Sequence, residues 1–229
     1  MQSQQVSVVI PAYNREQYIG EAIESVLAQG VDDLEIIVVD NNSTDKTAEI
    51  ALSYPKVNVI SESAQGVAYA LNGGVRAATG YWLAFLDSDD LWTPNKLKAQ
   101  FAALSEQPEH TFALGYSQNF LDPNTPAASV PAKVGLRPLP GYHVSTLLIR
   151  AETFRKVGSF DETLKVAPPI DWFMRALDAG LQPQMVNEVV HRRRIHANNY
   201  ARDRSAADYM IHVRRTMERR RAQHRTSDD

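Results

Sequence analysis

The 229-residue chain contains no cysteine. Disulfides, zinc–thiolate sites and cysteine nucleophiles are therefore excluded, in keeping with a reducing compartment. No apolar run approaches the roughly 18–20 residues that a membrane-crossing helix needs. The opening Met1-Gln-Ser-Gln-Gln5 has neither a basic nor an apolar segment, so no secretory leader is expected. Glycine-rich phosphate loops are missing: neither GxGxxG nor GxxxxGK(S/T) occurs, which argues against dinucleotide dehydrogenases and P-loop NTPases. The six histidines are scattered and form no His-rich tract. With 44% hydrophobic residues, 22% charged residues, 11 Gly and 12 Pro, the chain has an ordinary globular composition. It can bury a substantial core, and it is not collagen-like, coiled-coil or wholly disordered.

The formal net charge is −3, but the charge is uneven. Residues 191–229 hold eleven Arg against five acids, whereas residues 1–190 carry an acidic surplus. An acidic body joined to a basic C-terminal stretch needs an explanation.

Apolar patterning suggests alternating strands and helices. Val6-Ser-Val-Val-Ile10 is a β-branched run stopped by Pro11 and reads as a buried strand. Ile19, Ala22, Ile23, Val26 and Leu27 then follow a helical spacing, with Asn14 as candidate N-cap. Leu34–Val39, Val57–Ile60 and Tyr81–Leu86 read as further strands. Helices are expected over about 44–53 with Ser43 as cap, over 66–78, and from Pro94 to about 106. This alternation implies a doubly wound, mostly parallel α/β sheet, with ligands beyond the carboxyl ends of its strands. Polar clusters stand at three such ends: Pro11–Asn14, Asp40–Asp45 and Asp87–Asp90.

The second half is less regular. Five prolines between 122 and 141 predict a long loop, followed by a strand over Tyr142–Ile149 and a short helix over Ala151–Val157. A helix over Asp171–Ala179 and a strand over Met185–Val190 come next. Residues 203–225 read as a basic helix with a narrow stripe of Ala206, Met210, Val213 and Met217.

Several residues are candidates for chemistry. Asp87-Ser-Asp-Asp90 places three carboxylates within four residues, which suits a hard cation such as Mg²⁺ or Mn²⁺, or else an acidic turn before the next helix. Asp40 and Asn41 follow a buried strand and have the groups to read a nucleobase edge; Tyr13 can stack on a base or pack against the fold. Asp171 opens a helix, where the dipole stabilises an acid; the same place suits a general base. His196 suits a metal, a phosphate or a structural role.

In this order and spacing, three stretches resemble family 2 glycosyltransferases of the GT-A fold. They are Val6-Ser-Val-Val-Ile-Pro-Ala-Tyr-Asn14, Val38-Val-Asp-Asn-Asn-Ser-Thr-Asp45 and Phe85-Leu-Asp-Ser-Asp-Asp-Leu-Trp-Thr-Pro94. Val157-Gly-Ser-Phe-Asp-Glu162, Ile170-Asp-Trp172 and Arg194-Ile-His196 continue the match to about Asn199. The resemblance implies a GT-A domain over 1–200, with a nucleotide-binding half to about 106, an acceptor half over 107–200, and a basic helix over 201–229. It implies an inverting, non-processive transfer of a sugar from a nucleotide-sugar, a UDP-sugar being favoured, to a glycan or lipid-linked acceptor in cell-surface glycan synthesis. It places Pro11, Ala12, Tyr13, Asn14, Asp40, Asn41, Asp87 and Ser88 on the nucleotide-sugar. Asp87, Asp89 and His196 are placed around Mn²⁺ or Mg²⁺, and Asp171 as the base.

The chain departs from the family pattern at three places. Asn41 stands where many members have Asp, Ile170 where a Glu usually precedes the base, and Leu71 where Arg is frequent. The Gln-x-x-Arg-Trp motif of processive synthases is missing. A cytoplasmic location is expected, extending to the inner face of the membrane. The basic helix is read as solvated, as a peripheral membrane contact, or as a homodimer contact. No nucleic-acid partner is expected, because no basic platform interleaved with aromatics occurs. Competing readings are a glycosyltransferase-like protein that binds nucleotide without turnover, a nucleotidyltransferase, and an Asp87-dependent phosphotransferase.

Overall fold

The computed structural model describes residues 5–106, 111–126, 135–197, 199 and 206–227. The apolar runs of the first half form β1 (Val6–Ala12), β2 (Leu34–Asp40), β3 (Val57–Ser61) and β4 (Trp82–Phe85). All four are parallel, in the order β3-β2-β1-β4. They are joined by α1 (Ile19–Leu27), α2 (Thr47–Leu52) and α3 (Val67–Ala77). The runs are apolar without alternation because both sheet faces are buried. On one face Val8, Ile10, Ile36 and Val38 pack against Ile19, Ile23 and Val26 of α1. On the other, Val9, Ile37, Val39, Leu83 and Phe85 pack against Leu71 and Val75 of α3.

The sheet continues through the second half. Among the described residues its path is β3-β2-β1-β4-β8-β6-β9-β5. The added strands are β5 (Leu91–Trp92), β6 (Phe112–Leu121), β8 (Leu148–Arg150) and β9 (Pro183–Ile195), with the short β7 (Leu139–Pro140) on β6. β8 runs antiparallel to β4 and β6, and β6 runs parallel to β9. The expected mostly parallel α/β sheet is therefore present, and one sheet spans both halves of the chain. α4 (Lys96–Glu106), α5 (Ala151–Val157), α6 (Pro168–Asp178) and α7 (Ala206–Ser227) complete the fold. No described helix is long and apolar enough to cross a membrane.

Several local expectations are corrected. Asn14 does not cap α1: the N-cap is Tyr18, and Asn14, at φ 50°, instead accepts the Thr44 amide at 2.8 Å. Ser43 does not cap α2, which starts at Thr47; its hydroxyl accepts the Asn14 amide at 3.0 Å, tying two strand ends together. Tyr142–Ile149 is not one strand but a 3-10 turn over Val144–Thr146 leading into β8. Strand β6 was not foreseen, because Gly115 and the polar Ser117-Gln-Asn119 interrupt its apolar pattern. Pro131 of the proline-rich loop and residues 203–205 of the basic helix lie outside the described residues.

The apolar stripe of α7 does not face the body. Met210, Val213 and Met217 are exposed, while His212 and Thr216 are buried. Ionic contacts hold the inner face. Arg215 pairs with Asp161, Arg219 Nη1 with Asp171 Oδ1 at 2.7 Å, and Arg220 Nη2 with Asp178 Oδ1 at 2.8 Å. His212 Nε2 lies 2.9 Å from the Val166 carbonyl. The basic end of the chain thus meets carboxylates of its own acidic body.

Two neighbouring glycines of α3 make opposite predictions. A Cβ at Gly74 would lie 2.2 Å from Val9 Cγ1 and 3.1 Å from Val39 Cγ2, inside the close-packed face of the sheet. A Cβ at Gly73 meets nothing nearer than 3.4 Å. Overpacking costs about 1–3 kcal/mol, whereas relieving helical glycine gains roughly 0.5–1 kcal/mol. Gly74→Ala is therefore expected to lower the thermal midpoint and Gly73→Ala to raise it slightly; equal shifts of one sign in a melting curve would contradict this packing.

Candidate active site

Three polar clusters meet where the parallel strands end. A cavity of about 710 Å³ opens there, lined by Pro11, Ala12 and Tyr13 at the end of β1, by Asn41 after β2, and by Asp87, Ser88 and Asp89 after β4. Of the expected site residues these seven are brought together. Asn14 and His196 line a smaller adjoining hollow with Arg15, Tyr18 and Asp45. Asp40 and Asp171 do not line the main cavity.

The segment after β1 is fixed by its neighbours. The Asn14 and Arg15 amides donate to Ser43 Oγ at 3.0 Å and Thr47 Oγ1 at 2.7 Å. Tyr13 remains 48% exposed, leaving a ring face available for stacking. Arg15 Nη1 donates to the Tyr13 and Asn14 carbonyls at 3.2 and 3.0 Å, which turns its Nε toward Asp89.

Asn41 is on the wall, yet its amide is engaged. Nδ2 donates to the Glu62 and Ala64 carbonyls at 2.8 and 2.7 Å, and Oδ1 accepts the Gly66 amide at 2.8 Å. It thereby shapes the loop that leads into α3, whose first turn (Val67–Ala70) forms another wall of the cavity. Asp40 Oδ1 accepts the Ser43 amide at 3.3 Å and stabilises the turn after β2.

The three acids after β4 have different surroundings. Asp87 receives its backbone support from Ser145, whose Oγ accepts the Asp87 amide at 3.1 Å. Burial pushes the Asp87 carboxyl up to about 6; nearby His143 opposes this, and Asp90 and Asp89 add to it. Asp89 Oδ2 lies 3.0 Å from both Arg15 Nε and His196 Nε2. Those partners outweigh burial and hold its carboxyl below the usual range. Asp90 points away: Oδ1 accepts the Arg194 amide at 2.8 Å and Oδ2 meets His191 Nε2 at 2.9 Å. Burial and Asp89 push it well up.

His191 and His143 stack at 5.0 Å behind this turn. Ser117 Oγ lies 2.9 Å from His191 Nδ1, on the ring edge opposite Asp90. His143 Nδ1 accepts the Ser145 amide at 3.2 Å, leaving its Nε2 3.6 Å from Asp87 Oδ2. Burial pushes His143 down to about 4 and His191 down to about 3. Depressed histidines favour the fold above their unfolded value of about 6.5 and lose that contribution as pH falls toward the folded value. The raised Asp87 acts in the opposite sense between about 4 and about 6, so net acid stability is a poor readout. A direct one is available. His191 is expected to stay neutral in an NMR titration from about pH 8 to about pH 5; a midpoint near 6 would mean that water reaches it.

Asp171 is placed by α6 at 2% exposure. Oδ2 accepts Arg175 Nε at 2.9 Å and Oδ1 accepts Arg219 Nη1 at 2.7 Å. Both oxygens are thus taken by guanidinium groups, away from the cavity. The residues that line its remaining wall are Glu162, Thr163, Leu164 and Lys165, between α5 and α6.

Asp87 and Asp89 supply hard oxygen donors on one wall, crowded enough that burial and mutual repulsion raise Asp87. His196 borders Asp89. The two carboxylates are of the hard-oxygen type that Mg²⁺ or Mn²⁺ takes. No cluster of three potential ligands occurs among the described residues, so ligand phosphates would have to complete the shell.

A mostly parallel sheet with paired carboxylates beyond one strand end, facing a cavity, is a GT-A architecture. The chain belongs to glycosyl transferase family 2, whose sequence profile matches residues 7–145. It is 37% identical over 182 residues to an uncharacterised glycosyltransferase of Rickettsia typhi, covering 73% of this chain and 57% of that protein. It is 39% identical over 117 residues to TuaG of Bacillus subtilis, a putative teichuronic acid biosynthesis glycosyltransferase, covering 49% of this chain and 46% of TuaG. The match thus spans about half the length of these relatives. Among solved structures it resembles S. aureus TarS in complex with UDP-GlcNAc, with TM-score 0.72 and 22% identity over 89% of this chain and 62% of that one. It also resembles the mannosyltransferase PcManGT of Pyrobaculum calidifontis, solved with GDP-Man and Mn²⁺, with TM-score 0.65 and 20% identity over 86% and 58%.

Proposed function

We propose that the chain transfers a sugar from a nucleotide-sugar to an acceptor hydroxyl with inversion, in the synthesis of a cell-surface glycan. The observation that carries this reading is the cavity at the strand ends. It combines an exposed tyrosine face, the first turn of a helix, an arginine and two carboxylates around about 710 Å³. Tyr13 supplies a stacking surface for the base. The N-terminal turn of α3 offers a positive dipole end to phosphate. Arg15 is anchored on Asp89 and borders the same space. UDP is the favoured nucleotide, TarS having been solved with UDP-GlcNAc; PcManGT was solved with GDP-Man, so both bases belong in the test. A glycan acceptor accords with the name of TuaG, a putative teichuronic acid biosynthesis glycosyltransferase.

In this proposal Asp87, Asp89 and His196 would hold Mn²⁺ or Mg²⁺, and Ser88 borders the donor. When bound, such a cation supplies charge neutralisation for the departing diphosphate. Pro11, Ala12 and Tyr13 hold the nucleotide end, and Asn14 sets the turn that aims Arg15. The hydroxyl attacks the anomeric carbon from the face opposite the diphosphate, which gives inversion in one displacement. It must lose its proton to a base on the cavity wall.

The test is a thermal-shift panel of UDP, GDP, TDP and CMP with and without Mn²⁺, paired with assays for nucleoside diphosphate release from the corresponding sugars. One nucleoside diphosphate is expected to stabilise the protein by about 2.7 kcal/mol at a hundredfold excess over its Kd, more strongly with Mn²⁺, and its sugar to be turned over. Binding without release from any donor would favour the binding-only reading; no shift with any nucleotide would sink both.

A further inference from the structure

We infer that Glu162 is the catalytic base that deprotonates the acceptor hydroxyl. This deepens the proposed sugar transfer and rests on it. Three carboxylates line the cavity: Asp87, Asp89 and Glu162. Asp89 is bound on one oxygen by both Arg15 and His196. Asp87 shares its turn with Asp89 and faces His143. Both belong to the wall that receives the diphosphate. Tyr13, Tyr69, Arg15 and Lys165 also line the cavity, and none of them is a carboxylate. Glu162 comes from a different part of the chain and is exposed to the cavity.

Its position is held from three sides. Asn72 Nδ2 donates to Glu162 Oε1 at 2.9 Å and to the Phe160 carbonyl at 2.9 Å, while Asn72 Oδ1 accepts the Phe160 amide at 3.0 Å. The turn closes on itself, with the Leu164 amide donating to the Asp161 carbonyl at 3.2 Å. From α7, Arg215 pairs with Asp161 and donates through Nη2 to Thr163 Oγ1 at 3.1 Å, gripping the residues on either side of Glu162. One carboxylate oxygen is thus steadied by an amide on a clamped turn, as a preorganised base requires. Asp171, on the following helix, has both oxygens in ion pairs and lies off the cavity.

The step balances without further reactants. The acceptor oxygen forms a bond to the anomeric carbon as its proton passes to Glu162. The bond between that carbon and the diphosphate oxygen breaks, and its electron pair leaves with the nucleoside diphosphate. The protonated Glu162 then returns its proton to solvent.

Glu162→Gln keeps the size and the contact with Asn72 while removing the basicity. In the full chain, with Mn²⁺ and a panel of UDP-sugars and GDP-mannose, its release of nucleoside diphosphate is expected to fall by about 10²–10⁴-fold. Its nucleotide thermal shift and melting temperature should stay those of the wild type. Glu162→Asp should restore part of the rate. The assignment is overturned if Glu162→Gln keeps its rate. A wild-type protein that releases nothing from any donor overturns the proposed transfer and this assignment with it. Those two failures are therefore distinguishable.

Discussion

Asp171→Ala is expected to destabilise the fold by about 3 kcal/mol, at the lower end of what breaking a buried ion pair costs. The carboxylate is 2% exposed and is shared between Arg175, one turn along α6, and Arg219 of α7. Removing it leaves two guanidinium groups facing each other across a desolvated site. Their side chains are 22% and 29% exposed, so each can regain some water, which keeps the cost from the upper end of the range. The loss has a second consequence. Arg219 is one of three arginines that bind α7 to the body, with Arg215 and Arg220 on Asp161 and Asp178. Without its central contact α7 should open more readily. Trypsin, which cleaves after arginine, should then cut within 206–227 much faster. Arg219→Ala should cost less, because its partner keeps Arg175. A denaturant midpoint in Asp171→Ala equal to that of the wild type would mean that the pairs are solvated and hold nothing.

This arrangement also shows why the sequence was more legible in some places than in others. β1, β2 and β4 are mostly apolar runs, broken only by Ser7 and Glu35, that end abruptly in polar residues, a pattern with one plausible outcome in a sheet buried on both faces. The clusters Pro11–Asn14 and Asp87–Asp90 followed from those ends and do meet at the cavity. Arg15 was passed over because a single arginine beside a turn resembles any solvated surface residue. Its importance comes from Asp89, 74 positions away, at 3.0 Å. The wall from Gln65 to Ala70 has no ionisable side chain before Tyr69 and carries no chemical signal in sequence; it matters through its backbone and position. For Asp171 the local reading, an acid in a first helical turn, was sound as far as it went. What decides its surroundings is Arg219, 48 residues later, which no local pattern reveals. The basic stretch had three readings, and the partners it meets, Asp161, Asp171 and Asp178, were in view only as part of an overall charge. β6 is the clearest case of tertiary context overriding local pattern. It pairs with β8, β9 and β7, and those neighbours rather than its interrupted apolar run make it a strand.

Asp89→Ala should separate the two jobs that the turn after β4 is proposed to do. In the structure one oxygen of Asp89 receives both Arg15 Nε and His196 Nε2 at 3.0 Å. Truncation removes a hard oxygen donor, and it also releases Arg15 from its anchor beside the cavity. The first effect should abolish any response to Mn²⁺. The second should leave a mobile cation that can still meet a diphosphate. Nucleoside diphosphate binding without metal is therefore expected to change only a few-fold, while turnover falls by about 10³, which corresponds to roughly 4 kcal/mol of lost transition-state stabilisation. Asp89→Asn sharpens the comparison. Its amide oxygen can still accept from Arg15, so the arginine stays aimed, but the neutral group binds a divalent cation poorly. If positioning Arg15 is the larger job, Asn should recover most of the activity that Ala loses. If the carboxylate acts chiefly as a metal ligand, Asn and Ala should be alike, and both should bind nucleotide equally well with and without Mn²⁺. Full turnover in Asp89→Ala would remove Asp89 from the chemistry altogether, and with it the reason for two acids, Asp87 and Asp89, to share one wall of the cavity.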